Sequence, residues 1–425
     1  MTRRVTGKRI VLATFGSPGD LRPFLAIGRE LHNRGHDIVV ATSAIYLDRV
    51  TSAGLGFAPV RPNRRPGQQD PDFFDRLLRD RQPPAAIFRE MFLPSLRDSL
   101  TDMIAAVQGA DGIVAHTLAA SGRLAADVTG TPWVSAVMQP MGYFSAFEPP
   151  VIGPPGIMAV LRRAGPGPTR QVLRVARWVS DGWAGEWRDL RAELDLPPSD
   201  DHPLWEGQHA PARSLGLFPR LLGLPQPDWP AQARVTGYPF FGAPGETLDP
   251  DLASFLAEGE APVVFTLGTT AVNDPGPFYD VSLEAARTSG RRAVLLGVSR
   301  EQIGSLGGIV FAAPYAPHRL LFPHAAAIVH QGGIGTLSEA LRAGKPMLIM
   351  PYAHDQADNA WRASRLGVAC VLPRWRYRPA AVRHALGTII DDGATAAACQ
   401  VVARRMARES GVERAADMIE NVFGG

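Results

Sequence analysis

A chain of 425 residues that is 45% hydrophobic can bury two cores, and its length favours two or three domains. Its 44 basic and 41 acidic residues leave a formal charge of +3 with no block of five or six like charges, which argues against a nucleic-acid partner. No run of about 18 apolar residues occurs, so no spanning helix is expected, and peripheral membrane contact stays open.

The basic start is followed by an apolar run, Ile10 to Ala13, too short for a signal peptide. Cys370 and Cys399 lack metal-like spacing and read as free buried thiols in a reducing compartment, so the expected location is cytoplasmic.

In chain order, Arg9 to Thr14 reads as a strand, Phe15 to Asp20 as a turn and Leu21 to Arg34 as a helix. Asp37 to Thr42, Ile45 to Ala53 and Gly56 to Pro59 continue as strand, helix and strand, a series that predicts a parallel sheet with right-handed crossovers. A polar loop from Arg61 to Asp75 and broken helical pieces from Phe73 to Val107 interrupt the series. It resumes with a strand at Gly112 to Ala115, a helix at Ala119 to Thr129 and a strand at Trp133 to Val137.

Met141, Tyr143, Phe144 and Phe147 follow that strand; they either line a pocket for an apolar molecule or pack under the proline-rich loop beyond. Thr169 to Leu196 is a long helical region whose Trp178, Trp183 and Trp187 fall on roughly one face, a pattern of core packing. Ser214 to Phe218 and Arg234 to Thr236 read as short strands.

The densest proline and glycine punctuation, from Leu224 to Gly245, marks the domain boundary. The expected division is 1–225, a linker at 226–245, and 246–425, with a last helix that could pack back on the first domain. A second series then begins: a strand at Pro262 to Leu267, the turn Gly268-Thr269-Thr270, a helix at Pro277 to Ser289 and a strand at Arg292 to Leu296. Strands at Gly308 to Ala312, Ala326 to Val329, Met347 to Met350 and Val368 to Leu372 follow, with helices at His318 to Leu321, Thr336 to Ala343, Asn359 to Leu366 and Pro379 to Val422. The fold class is α/β: two doubly wound, Rossmann-like domains face to face, with a cleft between them.

The stretch with most chemistry is His330-Gln331-Gly332-Gly333-Ile334-Gly335-Thr336, where an apolar strand runs through a glycine turn into a helix. Such a turn aims free N–H groups and the positive end of the helix dipole at one point, which suits a phosphate. Thr336 offers a hydroxyl in the first helical turn, and Gly268-Thr269-Thr270 offers a second turn from another strand end. Asp355 and Gln356, beyond the next strand, are good acceptors for hydroxyl groups. Phosphate joined to a polyol is a sugar nucleotide. His330 either donates to a phosphate oxygen or ends its strand satisfied by backbone.

A dinucleotide oxidoreductase is disfavoured, because Gly16-Ser17-Pro18-Gly19 breaks the Gly-x-Gly-x-x-Gly spacing and the second strand ends Ala41-Thr42 without an acid. The triplets Asp70-Pro71-Asp72 and Asp249-Pro250-Asp251 sit in proline turns away from the strand ends and do not read as metal ligands.

These residues carry a resemblance. Gly16-Ser17-Pro18-Gly19-Asp20 near the start, and His330 to Thr336 through Pro351 to Asp355-Gln356, with Asn359 and Ala360 beyond, resemble the inverting nucleotide-sugar glycosyltransferases of the GT-B fold. That family includes glycopeptide, macrolide, sterol and plant natural-product enzymes. Pro227-Asp228-Trp229-Pro230, Thr236-Gly237-Tyr238-Pro239 and Phe265 to Thr270 look most like the bacterial rhamnosyltransferase that completes rhamnolipids.

The resemblance implies that the second domain binds a nucleoside diphosphate sugar, with uridine or thymidine as the base, and the first an apolar acceptor. Gly332, Gly333, Gly335, Thr336, Gly268, Thr269 and Thr270 would hold the diphosphate, and Asp355 and Gln356 the sugar. Tyr315 and Ala316 would meet the base, and Glu339 the ribose. Many relatives carry a single His before the glycine pair, so, aligned from the glycines, Gln331 stands where that His usually is.

Family members use Asp or His as the base at the position of Asp20, and the His users orient it with an acid from a later strand end. Here that strand end leads into His116, so Asp20 and His116 would form the dyad with roles exchanged. The residue-level alternatives are an ordinary N-cap for Asp20 and a satisfied core histidine for His116. Inversion would follow from a single in-line displacement, the leaving charge met by helix N–H groups with no metal and no cofactor. The alternatives from other classes are a nucleotide-sugar epimerase on a similar fold and a non-catalytic nucleotide-sugar binding protein.

Overall fold

The computed structural model describes residues 7–63, 93–151, 155–243, 245–268, 275–299 and 308–424. The chain divides into two compact units, Met1–Phe241 with Ser410–Gly425, and Gly242–Glu409.

In the first unit, β1 (Arg9–Ala13), α1 (Pro18–Asn33), β2 (Asp37–Thr42), α2 (Leu47–Ser52) and β3 (Gly56–Pro59) open the chain. After them come α3 (Leu96–Ala106), β4 (Gly112–His116), α4 (Ala120–Thr129), β5 (Trp133–Val137), α5 (Pro155–Ala164), α6 (Pro166–Val179) and α7 (Gly185–Glu193), then β6 (Ser214–Gly216) and β7 (Ala233–Val235). The sheet runs β3-β2-β1-β4-β5-β6-β7, all pairs parallel. Ile10, Val11, Leu12 and Ala13 are fully buried because helices cover both faces, which is why β1 is an unbroken apolar run.

Helix α1 starts three residues before the expected Leu21. The cause is a capping box: the Ser17 hydroxyl accepts the Gly19 N–H, and the carboxylate of Asp20 accepts the Ser17 N–H. Ser17 is therefore the N-cap, and Asp20 lies inside the first turn. Proline at the first helical position suits that start, since its missing N–H has no partner there anyway.

The expected shared face of tryptophans is corrected. The chain turns at Ser180, so Trp178 and Trp187 belong to different helices; Trp187 is buried, whereas Trp178 is 76% exposed.

The second unit comprises α8 (Pro250–Ala257), β8 (Val263–Thr266), α9 (Phe278–Ser289), β9 (Ala293–Leu296), β10 (Val310–Ala313), α10 (His318–Leu321) and β11 (Ala327–His330). It continues with α11 (Ile334–Ala343), β12 (Met347–Ile349), α12 (Gln356–Arg365), β13 (Ala369–Val371), α13 (Pro379–Asp391) and α14 (Gly393–Met406). Its sheet runs β10-β9-β8-β11-β12-β13, again all parallel. Asp249 caps α8 by accepting N–H groups of Asp251 and Leu252, so it sits at a helix start rather than in an open turn. Asp70-Pro71-Asp72 lies outside the described residues.

The last helix, α15 (Gly411–Phe423), belongs to the first unit. Ala415, Ala416, Ile419 and Phe423 enter the core beside α1, and the Phe423 ring lies where a Cβ on Gly112 would stand, 2.5 Å from it. Burying Ile419 and Phe423 is worth about 2–3 kcal/mol each. Arg34 ties the polar side of the helix, reaching Asp417 at 2.6 Å and Glu420 at 2.7 Å, and His36 Nε2 lies 2.9 Å from Glu420.

Candidate active site

In each sheet the strand order reverses once, and the crevice beyond the carboxyl ends of the strands at that point is where open α/β folds take ligands. In the first unit the reversal falls between β1 and β4. Asp20 follows β1 and His116 ends β4, and the two meet: Asp20 Oδ1 lies 3.8 Å from His116 Nε2.

Each partner is held from behind. Asp20 Oδ2 accepts from the Ser17 N–H at 2.7 Å and the Ser17 hydroxyl at 2.8 Å, leaving Oδ1 as the oxygen turned to the histidine. His116 Nδ1 accepts the Leu118 N–H at 3.0 Å, so in the neutral ring the proton sits on Nε2, toward Asp20. Complete burial pushes the His116 pKa down, against the opposing pull of the Asp20 charge, so the ring is neutral near pH 7. At 3.8 Å the pair is a close electrostatic contact rather than a hydrogen bond. Gly16, at φ +112°, passes so close to Asp20 that a Cβ would lie 2.7 Å from Oδ2. Tyr46 holds that turn by donating its hydroxyl to the Gly16 carbonyl at 2.9 Å.

Beside the dyad lies a pocket of about 580 Å³, counting its open mouth, at the same edge of the sheet. Phe15 and Gly16 after β1, Thr42 at the end of β2 and Ser43 after it, Arg61 after β3, Ser99 and Met103 of α3, and Leu118 line it. Arg61 is anchored there by Asp102, at 2.8 Å from Nε.

The four residues expected to face an apolar acceptor do not line that pocket. Tyr143 is buried, its ring stacked between His209 at 5.1 Å and Trp229 at 4.0 Å, so the packing alternative holds for it. Phe144 stacks on Trp205 at 4.2 Å. Met141 lies in the short turn Pro140–Tyr143, and Phe147 is partly exposed under the guanidinium of Arg170.

In the second unit the reversal falls between β8 and β11, where Gly268 and Gln331 emerge side by side. A Cβ on Gly268 would lie 2.0 Å from Gln331 Nε2, and one on Gly333 would lie 3.0 Å from it, so the buried amide fills the gap between the two glycine turns. Its Oε1 has no hydrogen-bond partner among the described residues. Thr269 and Thr270 lie outside the described residues.

His330 is fully buried; its Nδ1 accepts the Gly332 N–H at 3.0 Å, and its Nε2 has no partner among the described residues. Burial pushes its pKa down to about 3, so it offers a neutral N–H and no positive charge. This bond also takes one N–H of the glycine turn out of the expected cradle. Helix α11 begins at Ile334 with Gly333 as an N-cap that has no side chain to offer, which leaves the N–H groups of Ile334, Gly335 and Thr336 without intrahelical acceptors.

Asp355 precedes α12. Asn359, one turn on, donates from Nδ2 to Asp355 Oδ2 at 2.6 Å and to the Gly332 carbonyl at 3.0 Å, so one amide joins the acid to the glycine turn. Gln356 closes its own loop: its Oε1 receives the N–H groups of Tyr352 at 2.8 Å and Ala353 at 3.1 Å. Glu339 is held by Arg342 on the same helix, and the exposed Tyr315 donates its hydroxyl to Glu246 at 3.2 Å while Ala316 is buried. Among the described residues no group of three or more His, Cys, Asp or Glu stands together as a metal site would need.

Ser17 and Asn359 carry no role in the sequence reading beyond membership of the resembling motifs, and Leu118 was not singled out from sequence. Ser17-x-x-Asp20 is a capping-box spacing and Asp355-x-x-x-Asn359 a one-turn spacing, so two of the three had a local signal. The pocket residues Arg61, Ser99 and Met103 had none.

A parallel sheet in each unit, with a loop site at its reversal point, defines a two-domain α/β enzyme of the GT-B kind. Residues 10–116 match the glycosyltransferase family 28 N-terminal domain, and residues 293–421 match the C-terminal domain of erythromycin biosynthesis protein CIII-like proteins. The O-mycaminosyltylonolide 6-deoxyallosyltransferase of Streptomyces fradiae is 33% identical over 97% of both chains. The vancomycin aglycone glucosyltransferase of Amycolatopsis orientalis is 28% identical over 92% of this chain and 96% of its own. Among solved structures, the glycotransferase of kitacinnamycin superposes with a TM-score of 0.74 at 23% identity, over 98% of this chain and 99% of that one. The chain belongs to the GT-B glycosyltransferases of the macrolide, glycopeptide and sterol type, and is a nucleotide-sugar-dependent glycosyltransferase.

Proposed function

We propose that this enzyme moves a hexose or deoxyhexose from a uridine or thymidine diphosphate sugar to a hydroxyl of an apolar natural product, polyketide or lipid, with inversion at the anomeric carbon. The observation that carries the reading is the contact of Asp20 Oδ1 with His116 Nε2 at the carboxyl edge of the first sheet, beside the pocket after β1.

In this reading the acceptor lies on the first unit, with its hydroxyl at Asp20. The carboxylate is a weak base, which suffices because the hydroxyl becomes acidic only as the new bond forms. His116 supports the carboxylate electrostatically, with the N–H of its neutral ring turned toward Oδ1, and accepts no proton from the acceptor. The hydroxyl oxygen attacks the anomeric carbon from the face opposite the diphosphate, whose bond to that carbon breaks. The N–H groups at the start of α11 and the Thr336 hydroxyl meet the departing charge, and the Gln331 amide, between the two glycine turns, takes the role given to histidine in many relatives. Asp355, held by Asn359, receives the sugar hydroxyls. We read the transfer as needing no metal.

The test is a thermal-shift screen against uridine and thymidine diphosphates and their sugars, followed by turnover with apolar acceptors and assignment of the anomeric configuration of the product. Binding of none of these nucleotides would end the reading. Epimerised donor formed without acceptor would transfer it to the epimerase class.

A further inference from the structure

Helices α5 and α6 pack against each other, the Thr169 hydroxyl of α6 donating to the Leu161 carbonyl of α5 at 3.4 Å, and they leave one side open. At 3.6 residues per turn, Val172, Val175, Trp178 and Val179 share an arc of roughly 120° on α6, and Ile157 and Val160 fall together on α5. All six are exposed, while Met158, Leu161, Thr169 and Leu173 take the buried side. So much apolar surface turned outward on neighbouring helices is unusual for a soluble face.

The charge around it has one sign. Residues 155–180 contain five arginines and no acidic residue. Arg162 turns in to the Pro149 carbonyl, and Arg177 is held by Asp181 and Glu206; Arg163 and Arg174 stay exposed along the border of the stripe, and Arg170, also exposed, lies farther round α6 over the Phe147 ring. Asp181, which follows the segment, is also held by Arg188, so the neighbouring acids are already paired.

We infer that α5 and α6 form a docking face for an anionic lipid bilayer, lying flat in the headgroup layer with Trp178 and the valines turned into the acyl boundary. An amphipathic pair with arginine beside a tryptophan and aliphatic stripe matches an interfacial helix. A second copy fits poorly, because a self-complementary two-fold contact would set a patch bearing only positive charge against itself. A protein partner fits less well, since the cores of protein interfaces are depleted of charge, whereas here arginine borders the apolar stripe on both helices. The inference does not depend on which acceptor the enzyme uses.

The test is co-sedimentation of the full chain with vesicles of phosphatidylcholine alone and of equal parts phosphatidylcholine and phosphatidylglycerol. The enzyme should pellet with the mixed vesicles, more weakly as salt rises, and stay in solution with phosphatidylcholine alone. Changing Arg163, Arg170 and Arg174 together to Gln should lower partitioning roughly a hundredfold, at about fivefold per arginine. The Val175→Ser, Trp178→Ser double variant should also lose pelleting, and circular dichroism and the thermal midpoint show whether each variant is folded. Independently of any folding defect, the emission of Trp178, isolated as the difference from Trp178→Phe, should shift to the blue on anionic vesicles. Failure to pellet, equal pelleting with both vesicle types, or no emission change would overturn the inference. So would a wild-type dimer that Trp178→Ser dissociates, which would assign the face to a second copy.

Discussion

Oδ1 of Asp20 and Nε2 of His116 stand 3.8 Å apart, and the Leu118 N–H on the far nitrogen of the ring decides that the proton between them belongs to the histidine. The carboxylate is thereby the group able to accept a proton, with Ser17 fixing its other oxygen. The first consequence is kinetic. Asp20→Asn should lower turnover by about 10²–10⁴, the range for a positioned general base, while nucleotide affinity is unchanged. His116→Ala should cost less, and Ser17→Ala should lower kcat and stability together because it removes both the cap and the support. Full turnover in Asp20→Asn and in His116→Ala, measured as initial rates with donor binding checked separately, would exclude the dyad.

The buried histidines set a pH limit on stability. His330 is pushed from the ordinary 6.5 to about 3, and His209 to about 4, both by burial. As pH falls below 6.5 the unfolded chain takes up protons that the folded chain refuses, so stability is lost progressively between pH 6.5 and 3. The slope is at most about 1.4 kcal/mol per pH unit for each such histidine. Urea unfolding at pH 7 and pH 5 should show the loss, and a His330→Gln variant should show a shallower one.

Gly268 and Gln331 occupy one space. Gly268→Ala sets a Cβ on the Gln331 amide and should cost about 1–3 kcal/mol and weaken nucleotide binding. Gln331→Ala in the same chain removes the clash, so the double variant should regain stability without regaining nucleotide affinity. A double-mutant cycle on unfolding free energy measures the coupling, and strict additivity would show that the two residues do not meet.

Asn359 binds Asp355 to the glycine turn through one Nδ2. Asn359→Ala should lower stability by about 1–3 kcal/mol, through the stranded Gly332 carbonyl, and raise the donor KM. Asn359→Asp should be worse, because it places a carboxylate beside that of Asp355. Steady-state kinetics in donor concentration, with the thermal midpoint alongside, checks both.

Since the leaving charge is read as met by N–H groups, turnover should be unchanged after exhaustive treatment with a chelator and unstimulated by added Mg²⁺ or Mn²⁺. A loss of rate on chelation, restored by either ion, would overturn that part of the proposal.

What the sequence by itself determined is local. Apolar runs closed by glycine turns mark β1, β8 and β11 and the helices after β1 and β11, because strand burial and glycine turns are written in neighbouring residues. The glycines at 268, 332 and 333, and Asp20 itself, were legible for that reason. Two local patterns went unread, Ser17 with Asp20 and Asp355 with Asn359, although their spacing was in plain view.

Only the tertiary structure decided which distant residues meet. Asp20 and His116 face each other because β4 pairs beside β1 rather than beside β3, a choice made by the packing of whole sheets. The same packing seats Tyr143 between His209 and Trp229, where the sequence left both a pocket residue and a core residue open. It also parts Trp178 from Trp187 by ending α6 at Val179, and leaves Trp178 exposed while Trp187 is buried. A residue's spacing fixes the face of its helix, but what covers that face is settled by elements far away in the chain.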